Sequence, residues 1–350
     1  MENISNYHLQ DNNDREIKET KTEDDLDKSV KYFIEPVKST VHFDDVICPP
    51  EIKKQLLECT IFPLKFPKLF PTPIKKTLVC GVNGVGKTYL IKSIASIAEN
   101  ISLFHIHPAD FMTGQASDGG ELVKRFFNFA RETKPCIVFL DDLEFLTNEV
   151  VEESSRVYRI VTELLVQING VAFDNNNGLS IVGACGAPWK LCSIVRRKFA
   201  KIVYLPLQDR DSRTLIIKNN MKDLRSNLKA EDFAKLGLLT ERFSASDLTC
   251  FVREVSFDFI NILRNATHFK KVTGPSPENK EIIDTDLWLP CESDDCDAVE
   301  MTFEDVPEGK FSTIEISMEV VLKIFKKYKP TISSEEVERI EEFVNRYANT

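Results

Sequence analysis

The sequence predicts an α/β fold built on a parallel sheet, on three observations. A glycine-rich loop joins a short apolar run to a helical stripe between Thr77 and Asn100. A second apolar run, Cys136-Ile-Val-Phe-Leu140, ends in two aspartates. Strand-like and helix-like segments then alternate as far as Leu205, the pattern of a parallel sheet with crossover helices.

Residues 1–28 carry nine acids and four bases, with Ile4, Tyr7, Leu9, Ile17 and Leu26 as the larger apolar groups. So polar a segment cannot bury enough surface to fold, which predicts a disordered acidic arm over 1–40. Pro49-Pro50 precedes a predicted helix at Glu51–Thr60, and the prolines within Phe62–Pro71 exclude a regular helix there. Thr77-Leu-Val-Cys80 reads as a buried strand. Leu90, Ile91, Ile94, Ala95 and Ala98 then fall at helical spacing over Tyr89–Asn100. Ile101–Ile106 is a further strand, and Cys136–Leu140 one covered on both faces. Val157, Ile160, Val161, Leu164, Leu165 and Ile168 form a helical stripe that Gly170 is placed to end. Leu179–Val182 and Ile202–Leu205 read as two more buried strands.

Beyond Pro206 the pattern is helical. Ser244-Ala-Ser-Asp247 opens the striped segment Leu248–Leu263, and residues 272–310 read as an inserted loop or small β element. Ser333-Ser-Glu-Glu336 is a capping box ahead of an amphipathic C-terminal helix at 333–347. The expected domains are the arm at 1–40, a large α/β nucleotide-binding domain at 41–207, and a small helical domain at 208–350. That last domain includes the insertion and the C-terminal helix.

The bulk numbers narrow the function. The 350 residues suffice for two domains with cores, and a hydrophobic content of 42% is ordinary for a globular chain. A net charge of -10 argues against a nucleic-acid partner held by phosphate neutralisation. No apolar run approaches the roughly 18 residues of a spanning helix, and the acidic start does not read as a signal peptide. Nine scattered cysteines suggest reduced thiols and a cytoplasmic protein. Cys291 and Cys296 lie in an acidic loop without a nearby histidine, so no zinc site is expected there. His105 and His107 alternate on one strand and share a face; a surface or core role is the expectation, a metal pair the alternative.

The chemistry is concentrated in Gly81-Val-Asn-Gly84-Val-Gly86-Lys87-Thr88, a complete G-x-x-x-x-G-K-T phosphate loop between strand and helix. Its glycines let backbone N–H groups curl around phosphates, Lys87 reaches the terminal phosphates, and Thr88 is a Mg²⁺ ligand. Candidate ATP-binding residues are Gly81, Asn83, Gly84, Val85, Gly86, Lys87, Thr88, Tyr89 and Asp141. Asp141 ends a strand where a carboxylate holds Mg²⁺ through water, and Asp142 fits the base or water-orienting role.

These motifs together resemble the AAA ATPases of the meiotic group. The closest likeness there is to the vacuolar protein sorting-associated protein four family, which disassembles ESCRT-III filaments. The likeness runs from about Val41 to the C-terminus. It is carried by Val41-His-Phe-Asp-Asp-Val46, Phe62–Phe70, Thr162–Val171, Ala266-Thr-His-Phe-Lys-Lys-Val272 and Gly274-Pro-Ser-Pro277. Leu289-Pro-Cys291, Val299–Pro307 and Lys329-Pro-Thr331 continue it. The resemblance implies a five-stranded parallel sheet and a helical lid with a small inserted β domain. It also implies self or paralogue ring assembly, ESCRT-III-like partners, a cofactor protein on the inserted β domain, and peripheral attachment to endosomal membranes through partners. Arg196-Arg197 match paired arginines that such rings insert into the neighbouring subunit's site, acting in trans. Microtubule-severing relatives share the nucleotide motifs but lack the inserted region, which makes a severing enzyme the weaker alternative.

Four departures stand out. Asp142 replaces a glutamate, one methylene longer, and Gly186 replaces an asparagine that helps orient the attacking water. Both predict slow hydrolysis, and Asp142→Glu with Gly186→Asn is expected to restore it. The pore-loop counterpart, Gly114-Gln-Ala-Ser-Asp118, lacks its aromatic, with Phe111 as the nearest substitute. Finally, the first forty residues are too few and too polar for the family's three-helix adaptor domain. These departures keep open a degenerate ATP-binding subunit that acts as scaffold or regulator in a mixed ring.

Overall fold

The computed structural model describes residues 36–37, 40–112, 119–146, 155–173, 178–222, 224–276, 283–312 and 315–347. These form two compact units, one of residues up to Pro206 together with the helix Ser334–Tyr347, the other of 207–332. Most of the expected acidic arm, and the Gly114–Asp118 segment, lie outside the described residues.

The first unit is a five-stranded parallel sheet of β1 (Lys76–Cys80), β2 (Ser102–Ile106), β3 (Cys136–Leu140), β4 (Leu179–Cys185) and β5 (Lys201–Tyr204), in the order β2-β3-β4-β1-β5. Every residue of β3 and β4 is buried, as the unbroken apolar run of β3 and the mostly apolar β4 require when helices cover both faces. Val37 N–H donates to Leu103 O (2.7 Å), so the end of the expected arm joins the edge strand β2. The helix Gly119–Glu132 buries Leu122, Val123, Phe126, Phe127 and Ala130, one stripe at helical spacing. It packs on the helix Ser155–Phe173, and Gly119 permits a close approach: a Cβ there would lie 2.7 Å from Ile160 Cδ1.

Three local expectations change. Gly170 does not end its helix, which continues to Phe173; a helical glycine costs only about 1 kcal/mol, less than the packed stripe around it supplies. The proline-rich stretch still forms a short helix, Ile61–Lys65, because Pro63 falls in the first turn, where no amide partner is lost. The helix after the phosphate loop is α-helical only over Lys87–Ser93, and Ile94–Ser96 tighten to a 3₁₀ turn.

The C-terminal helix also departs from the expected division. Sequence placed 333–347 with the second domain; in the structure Ser334–Tyr347 belongs to the first unit and packs on β5, burying Ile340 and Phe343. An amphipathic helix must cover some apolar surface, and its sequence alone does not say which.

The second unit gathers the helices Arg210–Asn220, Ala230–Leu239, Ala245–Asn265 and Met318–Phe325 around Ile217, Leu236, Leu248, Phe251 and Val321. Ser244 and Asp247 form a reciprocal capping box that starts the longest of these helices. The insertion is a three-stranded antiparallel sheet of β6 (His268–Pro275), β7 (Ile283–Pro290) and β8 (Val299–Glu300), in the order β7-β6-β8. Phe269 and Leu263 seat its small core, with Trp288, Phe303 and Phe311 packed around them.

Packing under the sheet edge is tight at Gly183, where a Cβ would lie 2.5 Å from Leu143 Cδ1 and 2.9 Å from Phe199 Cζ. Gly183→Ala is expected to destabilise the first unit by about 1–3 kcal/mol, the usual cost of overpacking. A urea midpoint equal to wild type would contradict this.

Candidate functional site

The loop after β1 leaves the sheet at the edge where the carboxyl ends of β3 and β4 also lie. Gly81 N–H donates to Cys185 O at the end of β4 (3.3 Å). A Cβ on Gly81 would lie 2.5 Å from Leu205 O, so only glycine fits that approach. Gly84 and Gly86 have φ of 81° and 102°, left-handed conformations that side chains disfavour. The Lys87 ammonium, buried, donates to Gly81 O (2.7 Å) and Val82 O (3.2 Å), closing the loop on itself. Burial lowers the pKa of Lys87, an effect opposed chiefly by the Glu144 carboxylate and, more weakly, by Asp141.

The loop and β3 meet at one short bond. Thr88 Oγ1 donates to Asp141 Oδ2 (2.7 Å) across the edge above β4, which lies between β1 and β3. The same oxygen lies 3.0 Å from His105 Nε2, and Asp141 Oδ1 accepts from Asp142 N–H (3.1 Å). Burial pushes the Asp141 pKa up, but the hydrogen bonds from His105 and Thr88 outweigh it and hold the carboxyl below its ordinary range. His105 is set by stacking on Phe139, with ring centroids 4.9 Å apart.

Asp142 sits beside this cluster with its backbone left-handed (φ 50°). Its side chain is 64% exposed, and its Oδ2 lies 3.3 Å from His107 Nδ1. The carboxylate expected to orient water is therefore partnered by a histidine at the rim.

Two residues that sequence reasoning gave no such role occupy the space beyond Gly186. Gly186 N–H donates to Glu144 Oε1 (3.1 Å), while Glu144 Oε2 is buried with no hydrogen-bond partner among the described residues. A Cβ on Gly186 would lie 2.1 Å from Asn83 Oδ1 and 2.8 Å from Glu144 Oε1. The expected Gly186→Asn repair would therefore have to displace the ends of the Asn83 and Glu144 side chains. The signal for Glu144 was faint, a carboxylate three residues after Asp141. For Asn83 it was a polar residue inside a phosphate loop.

The arginine pair is split. The Arg196 guanidinium lies 4.6 Å from the Tyr347 ring centroid and 5.6 Å from that of Phe343, both on the C-terminal helix of the same chain. Arg197 is exposed. Phe111, the nearest aromatic to the expected pore loop, is fully buried, with its ring 6.4 Å from that of Phe126, so it cannot serve as an exposed grip. Tyr89 is half exposed on the first turn after the loop.

Two family models match the chain. Residues 77–207 match the ATPase family associated with various cellular activities (AAA), and residues 288–347 match the Vps4 C terminal oligomerisation domain. Vacuolar protein sorting-associated protein 4B of Mus musculus is 36% identical over 311 residues, covering 88% of this chain and 70% of the relative. Vacuolar protein sorting-associated protein 4 of Dictyostelium discoideum is 33% identical over 342 residues, covering 97% and 76%. Among solved structures, the FIGL-1 AAA domain superposes with a TM-score of 0.73 at 22% identity, covering 93% of this chain and 95% of that one. The last likeness speaks for the fold alone.

Proposed function

Because this chain belongs to the vacuolar protein sorting-associated protein 4 family of AAA ATPases, we propose that its ATP hydrolysis drives the disassembly of ESCRT-III-like filaments in endosomal and vacuolar sorting. The observation that carries this reading is the Thr88–Asp141 bond, which joins a complete phosphate loop to the strand-end carboxylate beside it. The match of residues 288–347 to an oligomerisation domain supports ring assembly, of this chain with itself or with a paralogue. No helix of the described residues is long and apolar enough to cross a membrane, which suits a peripheral protein held at endosomal membranes by its partners. We assign the inserted β sheet, as the family resemblance implies, to a cofactor protein.

The residues present fit a Mg²⁺–ATP complex. Lys87 needs only to leave two loop carbonyls to meet phosphate oxygens, and Thr88 with Asp141 forms the all-oxygen pair that Mg²⁺ prefers. Mg²⁺, when bound, would neutralise charge on the phosphates. Gly81, Asn83, Gly84, Val85 and Gly86 would offer loop amides to the phosphates, and Tyr89, half exposed just after the loop, would flank the nucleotide.

Water orientation falls to a different set than the family's motif. Asp142 reaches short and faces His107, and Gly186 has no side chain. The Asn83 amide and the Glu144 carboxylate, whose Oε2 has no hydrogen-bond partner among the described residues, take over the space beside Gly186. Asn83→Ala is therefore expected to lower turnover by about 10²-fold with ATP affinity nearly unchanged, the size of effect found when a preorganised polar group is removed. Gly186→Asn is expected to slow hydrolysis rather than restore it. Faster turnover in Gly186→Asn, or an unaffected Asn83→Ala, would return the role to the strand-end position.

The function itself is tested with preformed ESCRT-III-like filaments. Protein with ATP should shift filament subunits from pellet to supernatant, and specific ATPase activity should rise with protein concentration as rings assemble. Filaments left intact by a chain that hydrolyses ATP would sink the disassembly reading.

A further inference from the structure

Parallel pairing of β2 with β3 sets His105 opposite Phe139 and Ile106 opposite Leu140, and Asp141 N–H donates to Ile106 O (2.9 Å). Since alternate strand residues share a face, this register gathers His105, His107 and Asp141 at one corner of the sheet edge. One ligand atom from each lies within 4.8 Å of the other two. The closest pair, His105 Nε2 and Asp141 Oδ2, is 3.0 Å apart, near the roughly 3.3 Å edge of a tetrahedron with Zn–N bonds of about 2.0–2.1 Å. The two imidazoles pack edge to face with centroids 4.7 Å apart, and Phe139 fixes the inner ring from behind. Side-chain exposure rises from 3% at Asp141 to 15% at His105 and 38% at His107, which gives an ion a path in from solvent. Asp142 Oδ2, 3.3 Å from His107 Nδ1, adds a second carboxylate at the rim.

We propose that His105, His107 and Asp141, with Asp142 at the rim, form a binding site for a borderline divalent transition metal of the Zn²⁺ class. The site overlaps the Mg²⁺ position, because Asp141 Oδ2 is the atom that Thr88 also engages. Imidazole suits Zn²⁺ and its neighbours, whereas Mg²⁺ prefers carboxylate and water oxygens, so the two ions are drawn to opposite sides of one carboxylate. Zn²⁺ on the histidine side takes Asp141 away from Thr88 and opposes loading of Mg²⁺–ATP. The reverse holds by linkage. Metal binding stands without the nucleotide reading; only the antagonism rests on it.

The test uses the full chain and Co²⁺, a spectroscopic stand-in that Zn²⁺ should displace. One Co²⁺ per chain is expected, with ligand-field bands of nitrogen and oxygen ligation and no thiolate charge-transfer band. His105→Ala and His107→Ala should each weaken Co²⁺ binding at least tenfold, and saturating Mg²⁺–ATP should weaken it comparably in wild type. His107→Gln, at the more exposed position, replaces His105→Ala should that variant fail to fold. Unchanged Co²⁺ affinity in the histidine variants overturns the site, as does a thiolate band, which would place the metal on exposed cysteines such as Cys250 and Cys296. Histidine-dependent Co²⁺ binding that Mg²⁺–ATP leaves untouched, in a chain that binds ATP, overturns the overlap. Failure of ATP to bind at all would instead strike the functional reading and leave the metal site standing.

Discussion

Arg197→Ala is expected to lower ATP turnover of the assembled ring by about 10³-fold, whereas Arg196→Ala should cost tenfold or less. A guanidinium beside the transferring phosphate neutralises charge that develops in the transition state, a contribution on the order of 10³–10⁵ in rate. The sequence offers both arginines for that task, and the structure separates them. Arg196 is stacked on Tyr347 and Phe343 of its own C-terminal helix, a contact its removal from that helix would forfeit, while Arg197 is exposed and available to a neighbouring subunit. We therefore propose that Arg196 anchors the helix that ends the oligomerisation-domain match. Steady-state ATPase rates at a concentration where sedimentation shows full assembly would check this. Equal losses in the two variants would restore the paired role, and an active Arg197→Ala ring would end the trans assignment. Mixed rings extend the test. Wild type should stimulate a paralogue subunit, and Arg197→Ala protein should not, although it still binds ATP.

Lys87→Ala should weaken ATP binding by about 10²-fold and abolish measurable turnover. Charge-assisted hydrogen bonds of a buried ammonium contribute roughly 1.5–3 kcal/mol each, and alanine leaves only the loop amides to meet the phosphates. The substitution also leaves the carbonyls of Gly81 and Val82 without this donor and removes a cation that interacts with the Glu144 carboxylate. Titration with a fluorescent ATP analogue reads the first effect directly. Equal affinity in wild type and variant would mean that Lys87 serves the loop's own structure and not the ligand.

Much of this was legible because it is local. A glycine-rich loop with lysine and threonine at fixed spacing identifies itself, since the left-handed turns at Gly84 and Gly86 leave few alternative residues. The strand β3 announced its position through an unbroken apolar run, which suits a strand covered on both faces. The misjudged features are of another kind. Gly170 and Pro63 obey the usual local preferences only weakly, because surrounding packing or a first-turn position removes their cost.

The sequence by itself determined the α/β class, the phosphate loop, the strand-end carboxylate and the family. Each is a contiguous motif whose meaning follows from spacing along the chain. Tertiary structure alone decided which groups share the space around that motif. It turned Asp142 toward His107, put Asn83 where Gly186 has no side chain, drew the isolated Glu144 into the site, and seated Arg196 on a helix some 150 residues later. These contacts depend on sheet order and strand register. Both are set by the summed burial of many apolar side chains, a quantity that no short stretch of sequence carries.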